Sequence, residues 1–416
     1  MSFANNLNEQ PPSKMEKYGL IESPFEGEYP TEDNRVYEFD PSVIRSDAQA
    51  TRIVLHPRWP GLCGKFLDHK RKHGSDIEKT LYKDWAWWDL TRRLLSQRAM
   101  TFLNAQDDTL YRNGQYARNQ AKFWDGVGKQ GEAYKLLEDN LSYDEIMLGS
   151  LIAVSGPSYF INDGNRYNNG KKGKPGTYEE RGIIIGLVGP RFERPEHMDS
   201  TYILGKTTTK QHPELTQLFR DFFGSEPVTE QGRAEFDHAA YHSRIRISAD
   251  MLFLEAETRA REAKKRAYVY VVGLGLGVWK RDAMQPTIYI QAFLAALYDL
   301  KDKLRSIATV EFAYIDVNQA MREAITAVAA KQGINVKFSK RQPAAKLTGE
   351  EANQLLVLSY AWDGNAFPGN EYWIGSLSGS GDPAAAAMST IPDLHNVLVN
   401  PYIIGPPMNY QGYHEL

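Results

Sequence analysis

The sequence predicts an α/β protein, a sheet flanked by helices and preceded by a mainly helical extension. Three observations predict it. Tyr268 to Phe338 reads strand–loop–helix–strand–helix–strand, an order that calls for parallel strands and right-handed crossovers. Arg181-Gly-Ile-Ile-Ile-Gly-Leu-Val-Gly and Leu355-Leu-Val-Leu-Ser-Tyr are short apolar runs of the kind buried on both faces. Between them and the N-terminus, residues 79–152 carry the three- and four-residue apolar spacing of helices.

Composition narrows the function classes. The chain has 416 residues, 42% hydrophobic and 24% charged, ordinary for a globular protein of one large or two smaller domains. A net charge of −3 supplies no basic field for nucleic acid. The single cysteine, Cys63, rules out an internal disulfide and a cysteine-rich metal site, and fits a reducing compartment. No apolar run reaches the ~18 residues of a membrane helix, and the polar N-terminus lacks a signal-peptide core. The expectation is a cytoplasmic protein with neither membrane nor nucleic-acid partner.

In chain order, residues 1–45 are punctuated by Pro11-Pro12, Pro24, Pro30 and Pro41 and read as an irregular surface leader. Residues 46–150 form the helical extension. Its helices are expected near 79–103, with Leu81, Trp85, Trp88, Leu94, Leu95 and Phe102 on the apolar face, then near Tyr111–Phe123 and Tyr143–Ile152. Ser142 and Glu145 form a capping box for the last of these. Trp85, Trp87 and Trp88 read as core packing; Lys70 to Lys72 and Arg92-Arg93 read as a solvated face.

The remainder, 151–416, is the candidate ligand-binding domain. Ser155 to Gly170 reads as a polar loop with aromatics embedded in it, and Tyr202-Ile-Leu-Gly as a strand beside 181–189. Phe160, Asn162, Asp163 and Arg191 are candidates to grip a nucleoside by stacking and amide hydrogen bonds; an ordered loop with inward aromatics is the equal alternative. Helices are expected at Pro213–Phe223, Glu230–His242, Ser248–Lys264, Pro286–Lys303 and Asn318–Lys331. His238 and His242 have the i, i+4 spacing of two metal ligands, but no HExxH glutamate accompanies them, so they read as surface or cap histidines and no metal is expected.

Two stretches carry chemistry. Gly273-Leu-Gly-Leu-Gly-Val-Trp follows the strand Tyr268-Val-Tyr-Val-Val. Glycines at 273, 275 and 277 let backbone amides turn outward, and such a nest before a helix binds anions. No Gly-Lys-Ser/Thr follows and no glycine completes a Rossmann fingerprint, so Walker-type ATP hydrolysis is excluded and a pyrophosphate held by main chain is favoured over a simple packing turn. The second stretch follows Tyr360: a glycine-broken loop bearing Asp363, Asn365, Asn370, Glu371 and Asp382, flanked by Trp362 and Trp373. Polar groups at the C-terminal end of a buried strand lie where open α/β sheets bind ligands.

Together these stretches resemble a known group. Gly273-Leu-Gly-Leu-Gly-Val-Trp resembles the diphosphate loop of macrodomains. Tyr360-Ala-Trp-Asp-Gly-Asn-Ala-Phe-Pro-Gly-Asn-Glu-Tyr-Trp, Ser380-Gly-Asp-Pro-Ala-Ala, Tyr159-Phe-Ile-Asn-Asp-Gly and Gly182-Ile-Ile-Ile-Gly-Leu-Val-Gly are similar to the divergent macrodomain-like family of the Legionella effector MavL, which removes ADP-ribose from modified arginine. The likeness spans roughly 150–405. It implies a macrodomain-like mixed sheet, an ADP-ribose cleft, no cofactor, and ADP-ribosylated protein as the partner. Carried onto matching positions, the catalytic acids are Asp363, Glu371 and Asp382. The ligand-binding set is Gly273, Gly275, Gly277 and Val278 for the diphosphate, Phe160 and Asn162 for the adenosine end, with Asn365 and Asn370 beside the acids. The acidic loop follows the diphosphate loop, an order unlike that of ordinary macrodomains, and the triple-glycine and Gln-Glu-Glu signature of poly(ADP-ribose) glycohydrolase is missing.

The expected reaction is cleavage of the N-glycosidic bond through an oxocarbenium-like state that carboxylates stabilise. Asp363 is assigned to the distal ribose or the attacking water, Glu371 to proton transfer or the guanidinium, and Asp382 to ribose hydroxyls or the adenine amino group. Two other classes stay open: a reader that binds ADP-ribose without cutting it, and a nucleotide diphosphate hydrolase.

Overall fold

The computed structural model of the chain describes residues 13–205, 209–224 and 235–412; Pro11-Pro12 and the first turn of the helix expected at Glu230–His242 lie outside them. Among the described residues, eleven strands form two sheets. In chain order they are β1 (Arg52–Leu55), β2 (Thr101–Leu103), β3 (Asp108–Leu110), β4 (Tyr116–Ala117), β5 (Ala153–Tyr159), β6 (Arg181–Leu187), β7 (Ala267–Val271), β8 (Ile307–Ala313), β9 (Asn335–Ser339), β10 (Leu355–Ala361) and β11 (Tyr410–Gly412). The main sheet has the order β11-β1-β5-β6-β10-β7-β8-β9, and β2-β3-β4 form a separate small sheet. From β6 to β9 every pairing is parallel, as the strand–helix alternation predicts, while β5 runs antiparallel to both β1 and β6. The sheet is therefore mixed, with helices against it.

The parallel run fixes where chemistry can sit. Tyr360 pairs with Gly186, Leu358 with Tyr270, and Val271 with Phe312. The C-terminal ends of β6, β10 and β7 thus share one edge. Behind them runs the helix His238–Glu262, buried along most of its length. It replaces the two helices expected at 230–242 and 248–264. Ser248, the expected start of the second, and Asp250 are used sideways: Ser248 Oγ donates to the Val188 carbonyl at 3.3 Å and Asp250 accepts from Arg246 at 2.7 Å. Its true cap is Asp237, which accepts from the Ala240 amide at 2.9 Å.

Other expectations are corrected. Ser155 to Ser158, read as loop, lie inside the sheet in β5, between β1 and β6; Gly156 is needed there because a Cβ would stand 2.4 Å from Thr51 Oγ1. Tyr202-Ile-Leu-Gly is no strand. Ser200–Ile203 is a helical turn, because β5 and β10 already occupy both sides of β6. Residues 101–117 form the small sheet instead of continuing the flanking helices. The helix Tyr143–Gly149 does start from the Ser142/Glu145 capping box. Trp88 is exposed, whereas Trp85 and Trp87 pack on the core. Lys70 and Arg93 are buried, not solvated: Lys70 Nζ sits 2.6 Å from both Glu78 and Asp144, and Arg93 Nε lies 2.6 Å from Glu145.

The leader is largely irregular in its described part, yet Met15, Tyr18, Leu20 and Val36 are buried with Ile44, Ala48, Leu394 and Val399. Asn34 Nδ2 donates to the carbonyls of Ala386 (2.6 Å) and Ser389 (2.8 Å), and Arg35 pairs with Asp393 at 3.0 Å. Among the described residues no helix is long and apolar enough to cross a membrane. Cys63 is a buried free thiol.

Candidate functional site

Three loops leave the shared sheet edge: 188–199 after β6, 272–284 after β7, and 362–373 after β10. Glycines let them touch. A Cβ on Gly189 would stand 3.0 Å from Leu274 Cβ and 3.3 Å from the Gly275 amide; a Cβ on Gly364 would stand 3.0 Å from Val188. The loop after β6 therefore lies between the glycine loop and the acid turn, and both sequence-predicted motifs meet on one edge.

In the glycine loop, the amides of Leu276 and Lys280 close turns onto the carbonyls of Gly273 and Gly277, at 3.2 and 3.1 Å. Gly275 has φ +72°, a left-handed conformation that L side chains adopt at a cost. Its own amide and that of Gly277 stay out of those turns. Leu274 anchors the loop in the core, whereas Val278 stands in solvent. The helix that follows starts at Gln285, and Gln285 Oε1 accepts from the Asp282 amide at 2.8 Å, so a full turn of chain separates the glycines from that helix end.

The acid turn is built on β10. The Trp362 amide extends the ladder to the Leu187 carbonyl at 2.8 Å, and Asp363 is the first residue past it. Asn365 donates its amide to Asp363 Oδ1 at 3.4 Å, and Asn370 Nδ2 donates to Oδ2 at 3.1 Å. Asp363 is 9% exposed. Burial pushes its carboxyl up to about 7; Arg191 pulls it back, while Glu193 and Glu371 add to the rise. Glu371, in the short helix Asn370–Trp373, is the one half-buried acid of the three, raised by burial and then by Glu193. Asp382 opens the helix Asp382–Met388. Its oxygens accept from the amides of Gly369 and Asn370, each at 2.9 Å. Burial raises it well above the usual carboxylate range against those two amides, and Asp363 and Glu371 push the same way. The three acids are thus one electrostatic group.

Arg191 is the cation of the site. Its Nε donates to Glu193 at 2.6 Å and Nη2 to the Asn104 carbonyl at 3.1 Å, with Asp107 at 3.4 Å. Asp107 also pairs with Arg194 and accepts from Tyr143 Oη. The extension thereby clamps the loop after β6 from outside. It also holds the acid turn: the Phe367 amide donates to the Ala99 carbonyl at 2.9 Å, and Arg98, stacked 4.3 Å from the Trp362 ring, donates to the Gly364 carbonyl. Among the described residues, Nη1 of Arg191 and Nδ2 of Asn365 are buried with no hydrogen-bond partner. Two such donors beside one buried carboxyl make a place for an oxygen-rich ligand.

Several predicted residues lie elsewhere. Because β5 runs against β6, Tyr159 pairs with Arg181, and Phe160 and Asn162 follow at the opposite edge of the sheet from the glycines. Phe160 fills the space over Gly182, where a Cβ would stand 2.9 Å from the ring. Asn162 donates to the Lys171 carbonyl and accepts from the Gly164 amide, both at 2.9 Å. Asp163 accepts from the Asn165 amide at 3.0 Å. They are loop-building residues, and of the nucleoside candidates only Arg191 reaches the site. Trp362 and Trp373 are buried and donate to the loop's own carbonyls, Ala366 at 3.1 Å and Pro368 at 2.9 Å, so neither offers a free ring face. His238 pairs with Asp282 at 3.2 Å. Arg98, Glu193 and Asp107 escaped the sequence reading. The one available signal was Arg191-Phe-Glu-Arg, charges placed directly after a buried strand.

A family model described as ADP-ribosylhydrolase MavL-like matches residues 20–409. Two curated relatives come from Drosophila melanogaster. ADP-ribosylarginine hydrolase CG2909 is 33% identical over 408 residues, covering 88% of this chain and 80% of the relative. ADP-ribosylarginine hydrolase CG3568 is 36% identical over 397 residues, covering 86% and 77%.

Proposed function

The chain belongs to the MavL-like ADP-ribosylhydrolase family, and from that premise we propose that it releases mono-ADP-ribose from modified arginine side chains with Asp363 as the central carboxylate. The relatives' names supply the arginine linkage. The observation that carries the chemistry is Asp363 itself: a buried carboxyl at a parallel-sheet edge, raised to about 7, with Asn370 and Asn365 donating to it and Arg191 countering its charge.

In this reading the cleft is macrodomain-like, and residues 151–416 form it, with 46–150 as its clamp and 1–45 as the leader. The amides of the Gly273–Val278 loop hold the diphosphate. The unpartnered Arg191 Nη1 and Asn365 Nδ2 donate to ribose oxygens or to the attacking water. Cleavage breaks the bond between the anomeric carbon of the distal ribose and a guanidino nitrogen. Positive charge grows on the ribose and the Asp363 carboxylate stabilises it. Asp363 takes a proton from water as oxygen bonds to the anomeric carbon; the electron pair of the broken bond leaves with the guanidine, and the proton on Asp363 passes to that nitrogen, which restores the carboxylate. Glu371, the acid that reaches solvent, pairs with the cationic arginine side chain. Asp382 is a positioning residue, since its oxygens already hold the backbone of 369–370. A carboxyl titrating near neutrality serves proton transfer and does little for a reader of an anionic ligand, which favours hydrolysis over binding alone. A compartment without oxidants, the cytoplasm, suits the single free thiol.

The test is incubation of the chain with peptides mono-ADP-ribosylated on arginine, glutamate or serine, with mass-spectrometric detection of products. Free ADP-ribose from the arginine peptide alone is expected. Tight ADP-ribose binding with no release, or AMP as the product, would replace this reading by one of the other two classes.

A further inference from the structure

We propose that the chain carries a zinc-type cation site, sharing no residue with the acid turn, formed by His69, His73 and Glu214. His69 and His73 stand one turn apart on the helix Trp59–His73, and Glu214 begins the helix Pro213–Phe223. One ligand atom from each lies within 4.8 Å of the others. Glu214 Oε2 is 2.9 Å from His73 Nε2 and 3.9 Å from His69 Nδ1. Donors around a tetrahedral zinc ion at its usual bond lengths stand roughly 3.4 Å apart, so modest side-chain rotation closes the set. Two imidazoles and one carboxylate on a half-open wall leave a position for water or a fourth donor, the pattern of borderline divalent cations such as zinc rather than magnesium.

The surroundings agree. The histidines line a cavity of about 440 Å³ between the extension and residues 196–201 and 210–212. His212 packs its ring 4.7–4.8 Å from both histidine rings and takes the Glu214 amide on Nδ1 at 3.3 Å, which orients Glu214 toward them. Lys70, the cation next to the ligands, is already neutralised by Glu78 and Asp144. The ion would clip the end of one helix to the start of the other.

Untagged full-length protein, stripped with a chelator, is titrated with zinc chloride in a calorimeter and melted with and without zinc; magnesium chloride is the control. One zinc per chain and a higher melting temperature are expected, with no response to magnesium. His73→Ala and Glu214→Gln change partly exposed side chains and should fold; each weakens zinc binding at least about tenfold, while His238→Ala matches the parent. The absence of a saturable zinc site, unchanged affinity in both variants, or an equal loss in His238→Ala overturns the proposal. Release of ADP-ribose is independent of it and stays at parent level in His73→Ala.

Discussion

The side-chain amide of Asn370 donates to Asp363 Oδ2 at 3.1 Å, while the backbone amide of the same residue is held by Asp382. Asn370 is therefore the mechanical link between the acid that does chemistry and the acid that holds the loop. A donor on a carboxylate favours its ionised form. In Asn370→Ala the acidic limb of the kcat/KM profile should move upward by about one pH unit, since a hydrogen bond to a charged group is worth about 1.5 kcal/mol or more. A profile identical to the parent's would separate Asn370 from Asp363.

Asp363→Asn keeps the size and one of the two accepting oxygens, facing either Asn365 or Asn370, but cannot take a proton. Release of ADP-ribose from ADP-ribosyl-arginine should fall by about 100-fold or more, with ADP-ribose affinity in calorimetry little changed. Glu371→Gln should act mostly through KM, because its side chain faces solvent.

Stability should report the same carboxyl. Burial holds Asp363 at about 7 in the folded protein, above its ordinary value near 3.8. Between about pH 4 and 7 the native state keeps a proton that the unfolded chain has lost. Rising pH through that window therefore costs the native state stability. Asp363→Asn escapes this cost, so its melting temperature relative to the parent should climb from pH 5 to pH 8. A constant difference would mean that Asp363 is ionised throughout.

Much of this arrangement was legible in the residues. The apolar run from Leu355 gives β10 because few residues but strand formers occupy it, and the glycines at 273–277 mark a loop because their backbone freedom suits little else. Both then share an edge as a consequence of parallel pairing. What stayed hidden is strand direction and long-range pairing. Phe160 reads as a ligand contact until β5 is seen to run backwards. Asp107 meets Arg191 and Arg194 across 84 and 87 positions of sequence, a separation that no local pattern encodes.

Asp107→Ala should be severe. It takes one carboxylate from Arg191, which keeps Glu193, and one from Arg194, which keeps Asp125, and it removes the acceptor of the buried Tyr143 Oη, a loss of about 1–3 kcal/mol. Urea unfolding should show the loss, and residual activity should have a raised KM as the loop after β6 slackens. Full stability would remove Asp107 as the clamp.

Gly275→Val should weaken ADP-ribose binding at least about tenfold, since a left-handed φ costs a side chain about 1–2 kcal/mol and the loop must shift. A Cβ at this position would stand 3.4 Å from the Pro190 carbonyl oxygen, so the substitution is felt in the neighbouring loop too. Calorimetry with ADP-ribose measures it; parent-like affinity would remove these glycines from the diphosphate.

β1 sits between β5 and β11 and has no other sheet partner. During translation Ile53-Val54-Leu55 thus leaves the ribosome long before either neighbour exists, a sticky ribbon without a home. Its outer flank is shielded only when Tyr410–Gly412 emerges. The nascent protein must keep that ribbon safe, by chaperone or by its own helices, until residues 410–412 have been made.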